Sequence, residues 1–289
     1  MQIDQTDSRD ARNEKEMLPY GIDIFTGIRP TGDLTVANYV GAVRPLLDLQ
    51  EKNDSSMVFV ADLHALTDHE LVVAEKNTPE VVADYLALGL DPARCEIFVQ
   101  STIKEEVFEL TNLLLRHVTV SELLRVPTLK EKLKDGQKAS QANALLANYP
   151  VLMTADILLQ RAKYVPVGED QLPHMEMART IIRRFNKEYG NIFPQPLVQE
   201  VKPLRLKGLD GEAKMSKTHP EQAIFLTDSP DEAKKKIKRA KTAFEGEMTP
   251  TLLSHIELIK NLAKKRRGLI AFRGNYKKTH SRRESYGFV

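Results

Sequence analysis

Short apolar runs of strand length alternate along this chain with longer stretches whose apolar positions recur at helical spacing. Residues 22–28 (IDIFTGI) read as a short buried strand, followed by the loop Arg29-Pro30-Thr31-Gly32-Asp33. Val36, Val40, Val43, Leu46, Leu47 and Gln50 then keep a helical period. A second strand is expected over 57–61 (MVFVA), and a helix from about Thr78, with Pro79 in its first turn, to Gly89 as the residue just past its end. A third strand is read at 96–100 (EIFVQ). Strand–helix–strand–helix–strand with short connections implies a parallel sheet with right-handed crossovers. From about 104 to 159 the pattern is helical throughout, punctuated by Pro127, Gly136 and Pro150, an insertion in the α/β core. A fourth strand follows at 164–167, and Gly168-Glu169-Asp170 opens a helix with Leu172, Met175, Ala178, Ile182 and Phe185 on one face. Residues 193–203 read as Pro-rich and irregular, and 230–243 as the last clear helix.

Composition narrows the class. The 289 residues can bury a sizeable core, and one large domain plus a small one is expected. No apolar run reaches the ~18 residues of a membrane span. Residues 1–20 read as a polar, poorly ordered extension without a secretory h-region, and a single cysteine, Cys95, fits a reducing cytoplasm and rules out a disulfide framework. The net charge of +2 says little, but residues 234–241 (KKKIKRAK) and 264–267 (KKRR) concentrate base in the last third. That density suits RNA phosphates or a solvated helix face, and both readings stay open. DNA binding and a metal held by protein side chains are not expected.

Two constellations carry chemistry. The first runs from Phe25 to Asn38 (FTGIRPTGDLTVAN), a strand, a Gly/Pro loop and a helix start. Gly27 and Gly32 allow backbone to approach a ligand, and the helix N-terminus offers N–H groups to phosphate. Thr35 and Asn38, three apart, share a face of that first turn. The second is Lys214-Met215-Ser216-Lys217-Thr218, set between Asp210-Gly211 and His219-Pro220. Two lysines three apart in a loop can converge on one polyphosphate and neutralise charge on a leaving pyrophosphate. Each alone also fits an ordinary loop. Together, in this order, they point to an enzyme that activates a carboxylate with ATP.

With YPVLMTADILL and VPVGEDQLPHMEMAR between them, these motifs make the chain resemble the class I tryptophanyl-tRNA synthetases from about Ile24 to Ala243. The resemblance implies a Rossmann-type catalytic domain over 21–212, and a lysine loop with an abbreviated helical part over 213–289. It implies ATP with Mg²⁺, L-tryptophan, tRNA(Trp) and a second copy of the chain as ligands and partners. Arg29, Pro30, Thr31, Ala37 and Asn38 match the first ATP signature. Gly168, Glu169 and Asp170 match the adenosine loop, and Leu206 with Lys214, Met215, Ser216, Lys217 and Thr218 the lysine-loop side. Lys214, Lys217, Thr35 and Asn38 are the implied catalytic set. Asp156 stands where the indole N–H is accepted, Met153 and Phe25 where the ring is packed, and Tyr149 and Gln171 where the α-amino end is held. His64 lies near the substrate, and Lys132 corresponds to a further phosphate contact.

The spacing of Met153 and Asp156 puts both on one helix face. A buried carboxylate there rejects side chains with no N–H to offer, because an unpaired acceptor is costly. Read alone, Asp156 also fits a salt-bridged helix acid, Met153 a core residue, and His174 either a polar core cluster or a pocket rim. Thr35 and Asn38 replace the two usual class I histidines. Arg29 stands where glutamine is frequent, Thr218 keeps the hydroxyl of the usual serine, and Ala37 replaces a glycine, adding a methyl where adenosine approaches. The family likeness fades after about Ala243 and the chain is shorter than its usual members, so tryptophan activation is expected to outlast tRNA charging. A tyrosyl-tRNA synthetase and a non-charging ligand- or RNA-binding protein are the alternatives.

Overall fold

The computed structural model describes residues 17–52, 55–67, 70–127, 129, 138–200, 206–211, 214–217, 219–241 and 249–263. Five strands, β1 (Ile22–Ile28), β2 (Ser56–Val60), β3 (Cys95–Val99), β4 (Ala162–Val167) and β5 (Leu197–Glu200), form one sheet in the order β3-β2-β1-β4-β5. Every neighbouring pair is parallel. Strands so arranged are covered on both faces, which is why they read as near-continuous apolar runs. The chain leaves β1 toward β2 and β3 and returns to its other side as β4 and β5. The β1–β4 boundary is therefore the topological switch point, and ligands of such sheets bind beyond the carboxyl ends of the strands.

β5 lies inside the stretch expected to be irregular. Its four residues are too few for a clear period, and Pro194 and Pro196 both precede it, as an edge strand tolerates. The helix expected from Thr78 runs from Leu71 to Leu88, with Pro79 inside it. Ala74, Val81, Tyr85 and Leu88 are buried on both sides of the proline, so burial of the stripe outweighs one missing backbone hydrogen bond. Gly89 ends it at φ 112°.

Two compact units divide the chain, the described parts of 1–29, 53–74 and 94–201, and those of 30–52, 75–93 and 202–289. The first unit holds the whole sheet and the helical insertion. α1 (Val36–Asn38), a π-helical turn (Tyr39–Val43) and α2 (Arg44–Gln50) belong to the second unit. α3 (Asp62–Ala65) lies in the first, and α4 is the helix Leu71–Leu88. The insertion contributes α5 (Lys104–Leu115), α6 (Val120–Leu123) and α7 (Ala144–Leu159), and α8 (Leu172–Tyr189) follows β4. Leu114 of α5, Val151, Ala155 and Leu158 of α7, and Ile181 and Ile182 of α8 form one buried cluster.

Phe25 of β1 stacks on Phe59 of β2, ring centroids 4.8 Å apart and 7° from parallel. Gly27 is register partner to Phe59, and a Cβ there would lie 2.6 Å from the Phe59 ring. The glycine thus admits an aromatic ring from the neighbouring strand. Gly27→Ala overpacks this stack and is expected to destabilise the protein by about 1–3 kcal/mol, read as a lower urea midpoint at unchanged slope.

An ion pair ties α6 to α8. Arg184 donates from Nη2 to Glu122 Oε1 at 2.7 Å and from Nη1 to Oε2 at 3.0 Å. The guanidinium, followed by the Thr119 N–H, holds the Glu122 carboxyl down to about 2. A carboxyl depressed in the folded state stabilises above its unfolded value of about 4.3 and loses that contribution as pH falls toward about 2. The pair is partly solvated, so the loss is expected to be no more than about 1 kcal/mol. Urea midpoints taken between pH 5 and pH 2, in whole-number steps of about one unit, are expected to fall less in Glu122→Gln than in the native protein.

The second unit adds α9 (Pro230–Lys238) and α10 (Pro250–Ala263). α9 stops before the expected Ala243, which lies with 242–248 outside the described residues. α10 follows the last helix read from the sequence, and at its start Thr249 Oγ1 accepts the Leu252 N–H. Ala37, Val40, Leu206, Met215, Ala223 and Leu258 make this unit's apolar cluster. Among the described residues no helix is long and apolar enough to cross a membrane.

Candidate functional site

In the first unit, three polar side chains converge where strands end. Asp62 opens α3 just after β2, and its Oδ1 accepts the N–H of Leu63 and of Ser101, each at 3.0 Å. That carboxylate clips the end of β2 to the 3₁₀ turn Gln100–Ile103 that follows β3. From the two clipped turns His64 and Gln100 reach Asp156 on α7. His64 Nε2 lies 2.9 Å from Asp156 Oδ2, and Gln100 Nε2 donates to Oδ1 at 2.8 Å and to Oδ2 at 2.9 Å. A carboxylate only accepts, so Nε2 of the imidazole is the donor. All three side chains are buried, Gln100 completely. His64 Nδ1 and Gln100 Oε1 are buried without a hydrogen-bond partner.

Tyr149, Met153 and Asp156 follow one face of α7 at helical spacing. The Tyr149 ring meets His64 edge-on with centroids 4.6 Å apart, and His174 of α8 at 5.0 Å. His174 Nδ1 lies 2.8 Å from Gln171 Oε1, and Gln171 Nε2 donates to Asp170 Oδ2 at 2.9 Å. Met153 and Phe25 pack in the same apolar cluster, with Phe59 and Met175. Contacts thus run from Asp156 through His64 to Tyr149, and from Tyr149 through buried His174 to Gln171. Gln100 is the residue that sequence reasoning passed over as the end of a strand. Its signal was a polar side chain at a strand's carboxyl end in a parallel sheet, the edge at which such folds bind ligands.

Gly168, Glu169 and Asp170 form the turn directly after β4. A Cβ on Gly168 would sit 2.7 Å from Asp170 Oδ1, so a side chain there would displace the Asp170 carboxylate. Arg29 closes this unit's share of the first signature.

The second unit holds the rest. Thr35 and Asn38 cap α1 reciprocally: Asn38 Oδ1 accepts the Thr35 N–H at 3.0 Å and Thr35 Oγ1 accepts the Asn38 N–H at 3.2 Å. The Val36 N–H is taken by Ile224 O at 2.9 Å. Two N–H groups expected to be open to phosphate are therefore already bonded, because 224–226 runs alongside this turn. Ala37, Leu206 and Met215 are buried together, and the Met215 N–H bonds Leu206 O at 2.9 Å, which anchors the lysine loop from within. Asn77 Nδ2 donates to Pro30 O at 3.2 Å. Lys217 Nζ donates to Thr31 Oγ1 at 3.1 Å and to Gly32 O at 2.7 Å, so the two loops expected to hold phosphate touch. Burial lowers the Lys217 pKa from the ordinary lysine value, and the Asp33 and Asp84 carboxylates oppose that shift. Lys214 is exposed in a short antiparallel bridge to Lys207, and Ser216 is partly buried. Thr218 and Lys132 lie outside the described residues. Among the described residues no group of three or more His, Cys, Asp or Glu is placed to hold a metal.

Residues 20–268 match the family model of class I tRNA synthetases (W and Y). The chain is 39% identical over 225 residues to a tryptophan–tRNA ligase of Chlamydia caviae, covering 76% of this chain and 65% of that protein. It is 42% identical over 227 residues to that of Porphyromonas gingivalis (76% and 67%). A third, from Caldanaerobacter subterraneus, is 40% identical over 230 residues (78% and 69%). The chain thus spans about two thirds of the length of the curated relatives it matches. Among solved structures, the tryptophanyl-tRNA synthetase of Campylobacter jejuni complexed with ADP and tryptophan superposes with a TM-score of 0.72 at 30% identity, covering 91% of this chain and 90% of that one. The Mycoplasma pneumoniae tryptophanyl-tRNA synthetase gives 0.70 at 29%, with 89% and 84% covered.

Proposed function

Because this chain belongs to the class I tRNA synthetases of the tryptophan and tyrosine type, within the tryptophanyl group, we propose that it joins L-tryptophan to tRNA(Trp) in two steps driven by ATP. In the first, a tryptophan carboxylate oxygen attacks the α-phosphorus of ATP, the bond to pyrophosphate breaks, and tryptophanyl-adenylate forms. In the second, a terminal tRNA hydroxyl attacks the acyl carbon and AMP departs. The enzyme needs no covalent intermediate, only alignment and charge stabilisation. Mg²⁺ enters with ATP, held mainly by phosphate oxygens.

The observation that carries the reading is Asp156, a buried acceptor set on one helix face with Met153 and Tyr149. Its four or so acceptor positions are not exhausted by Gln100 and His64, so an indole N–H finds a partner there. Tyr149 and Gln171 serve the α-amino end. Lys217, now on Thr31 and Gly32, exchanges two neutral acceptors for phosphate oxygens, and Lys214 supplies the second charge. The exposure of Lys234, Lys235 and Lys238 on α9 supports a contact with RNA phosphates. Phe108, Leu113 and Val120 on α5 and α6 are exposed apolar residues that favour a second copy of the chain as partner. A cytoplasmic location is part of the same proposal.

Tryptophan-dependent ATP–pyrophosphate exchange, run beside charging of tRNA(Trp), tests both steps. Exchange with charging supports the full reading. Exchange alone removes the second step, and no exchange with tryptophan and ATP in excess removes both.

A further inference from the structure

We infer that Gln100 is a positioning residue for tryptophan selection: it holds the Asp156 carboxylate from behind so that Oδ1 keeps a lone pair for the indole N–H. This rests on the tryptophan reading above. Three observations carry it. First, one amide nitrogen reaches both carboxylate oxygens, at 2.8 and 2.9 Å, which fixes the plane of the carboxylate as well as its position. Second, the donors are shared unequally, since His64 adds a contact to Oδ2 and none to Oδ1. Oδ1 is thus the less occupied oxygen, and an added N–H donor is best accepted there. Third, the side chain is wholly buried while its own Oε1 has no hydrogen-bond partner. Leaving a buried acceptor unmade is unfavourable, so filling space does not explain this amide, whereas orienting a carboxylate does.

The turn that carries Gln100 is itself held, because the adjacent Ser101 N–H is bonded to Asp62 at 3.0 Å. The fork therefore has a rigid base, as a group that sets another's geometry within a fraction of an ångström requires. Without it, Asp156 can turn about its terminal bond, and its lone pair no longer faces one direction. A ligand that offers an N–H loses affinity, and a ligand of the same shape without one does not.

The test uses the full chain and Gln100→Met, which keeps length and volume and removes the donors. Binding is measured by calorimetry for L-tryptophan and for the analogue with sulfur in place of the indole N–H. The expected result is a rise of about tenfold in the tryptophan Kd with the analogue's Kd within about twofold of its starting value. In the exchange assay the tryptophan KM follows the Kd while kcat holds. In an Asp156→Ala background, Gln100→Met changes neither Kd, since the residue acts only through the carboxylate. If Gln100→Met does not fold, Gln100→Asn, which keeps the amide and shortens its reach, is expected to give the same selective loss. An unchanged tryptophan Kd, or equal losses for both ligands, overturns the inference and leaves the tryptophan reading standing. Failure of the native protein to bind tryptophan overturns both.

Discussion

Lys217→Ala is expected to lower tryptophan-dependent pyrophosphate exchange by roughly 10²–10³-fold while tryptophan binding stays within about twofold. Lys217 is in the second unit, and its contacts there are with Thr31 and Gly32 of the first phosphate loop. The residues assigned to the tryptophan side chain all belong to the first unit. A charge that acts as pyrophosphate separates is used in the transition state, so its loss appears in kcat. Burial has already removed part of the ammonium's hydration, which makes the exchange of neutral oxygens for phosphate favourable. Lys217→Arg is expected to recover only a fraction of the rate, since a planar guanidinium does not replace a compact ammonium in the Thr31–Gly32 seat. Tryptophan binding can be followed by the ligand's own fluorescence, because the chain contains no tryptophan. A matching loss of binding and rate would place Lys217 in ground-state binding instead.

Asp156→Ala acts on the other half of the reaction. It removes the proposed acceptor for the indole N–H, and hydrogen bonds to charged groups are worth about 1.5–3 kcal/mol, so the tryptophan KM is expected to rise roughly 10–100-fold. It also strands Gln100 Nε2 and His64 Nε2 in a buried site, at about 1–3 kcal/mol for each donor left without an acceptor. The variant is therefore less stable as well as less selective. Asp156→Asn, compared with it in urea, separates the two effects: it keeps one carbonyl acceptor and places an amide donor against the same neighbours. A tryptophan KM unchanged in Asp156→Ala would mean that the indole is recognised elsewhere.

The sheet was largely legible because its strands are short apolar runs, as at 57–60, of the kind a doubly covered parallel sheet accommodates. β5 was not, since four residues between prolines carry no period of their own and take their conformation from β4. Pro79 misled for a related reason: a local breaker was outweighed by the buried stripe from Ala74 to Leu88. In the first unit, Met153 and Asp156 were readable from their spacing, and the structure adds Tyr149 to the same face. Gln100 carried only the general signal of a polar side chain at a strand's carboxyl end, and nothing local marks its partner, a carboxylate 56 positions away. Thr35 and Asn38 show the opposite limit. Their spacing suggested ligand contacts, and in this conformation each caps the other, an arrangement equally encoded by a hydroxyl and an amide three residues apart. Gly27 was recognised as a place of close approach, but the group approaching is the Phe59 ring of the adjacent strand.

The central claim is that Asp156 and its neighbours select tryptophan for activation by ATP. Pyrophosphate exchange measured on the native chain with L-tryptophan and, in parallel, with L-tyrosine tests it most directly. The account predicts exchange that depends on tryptophan and is at background with tyrosine at equal concentration. Exchange that depends on tyrosine and not on tryptophan would contradict it.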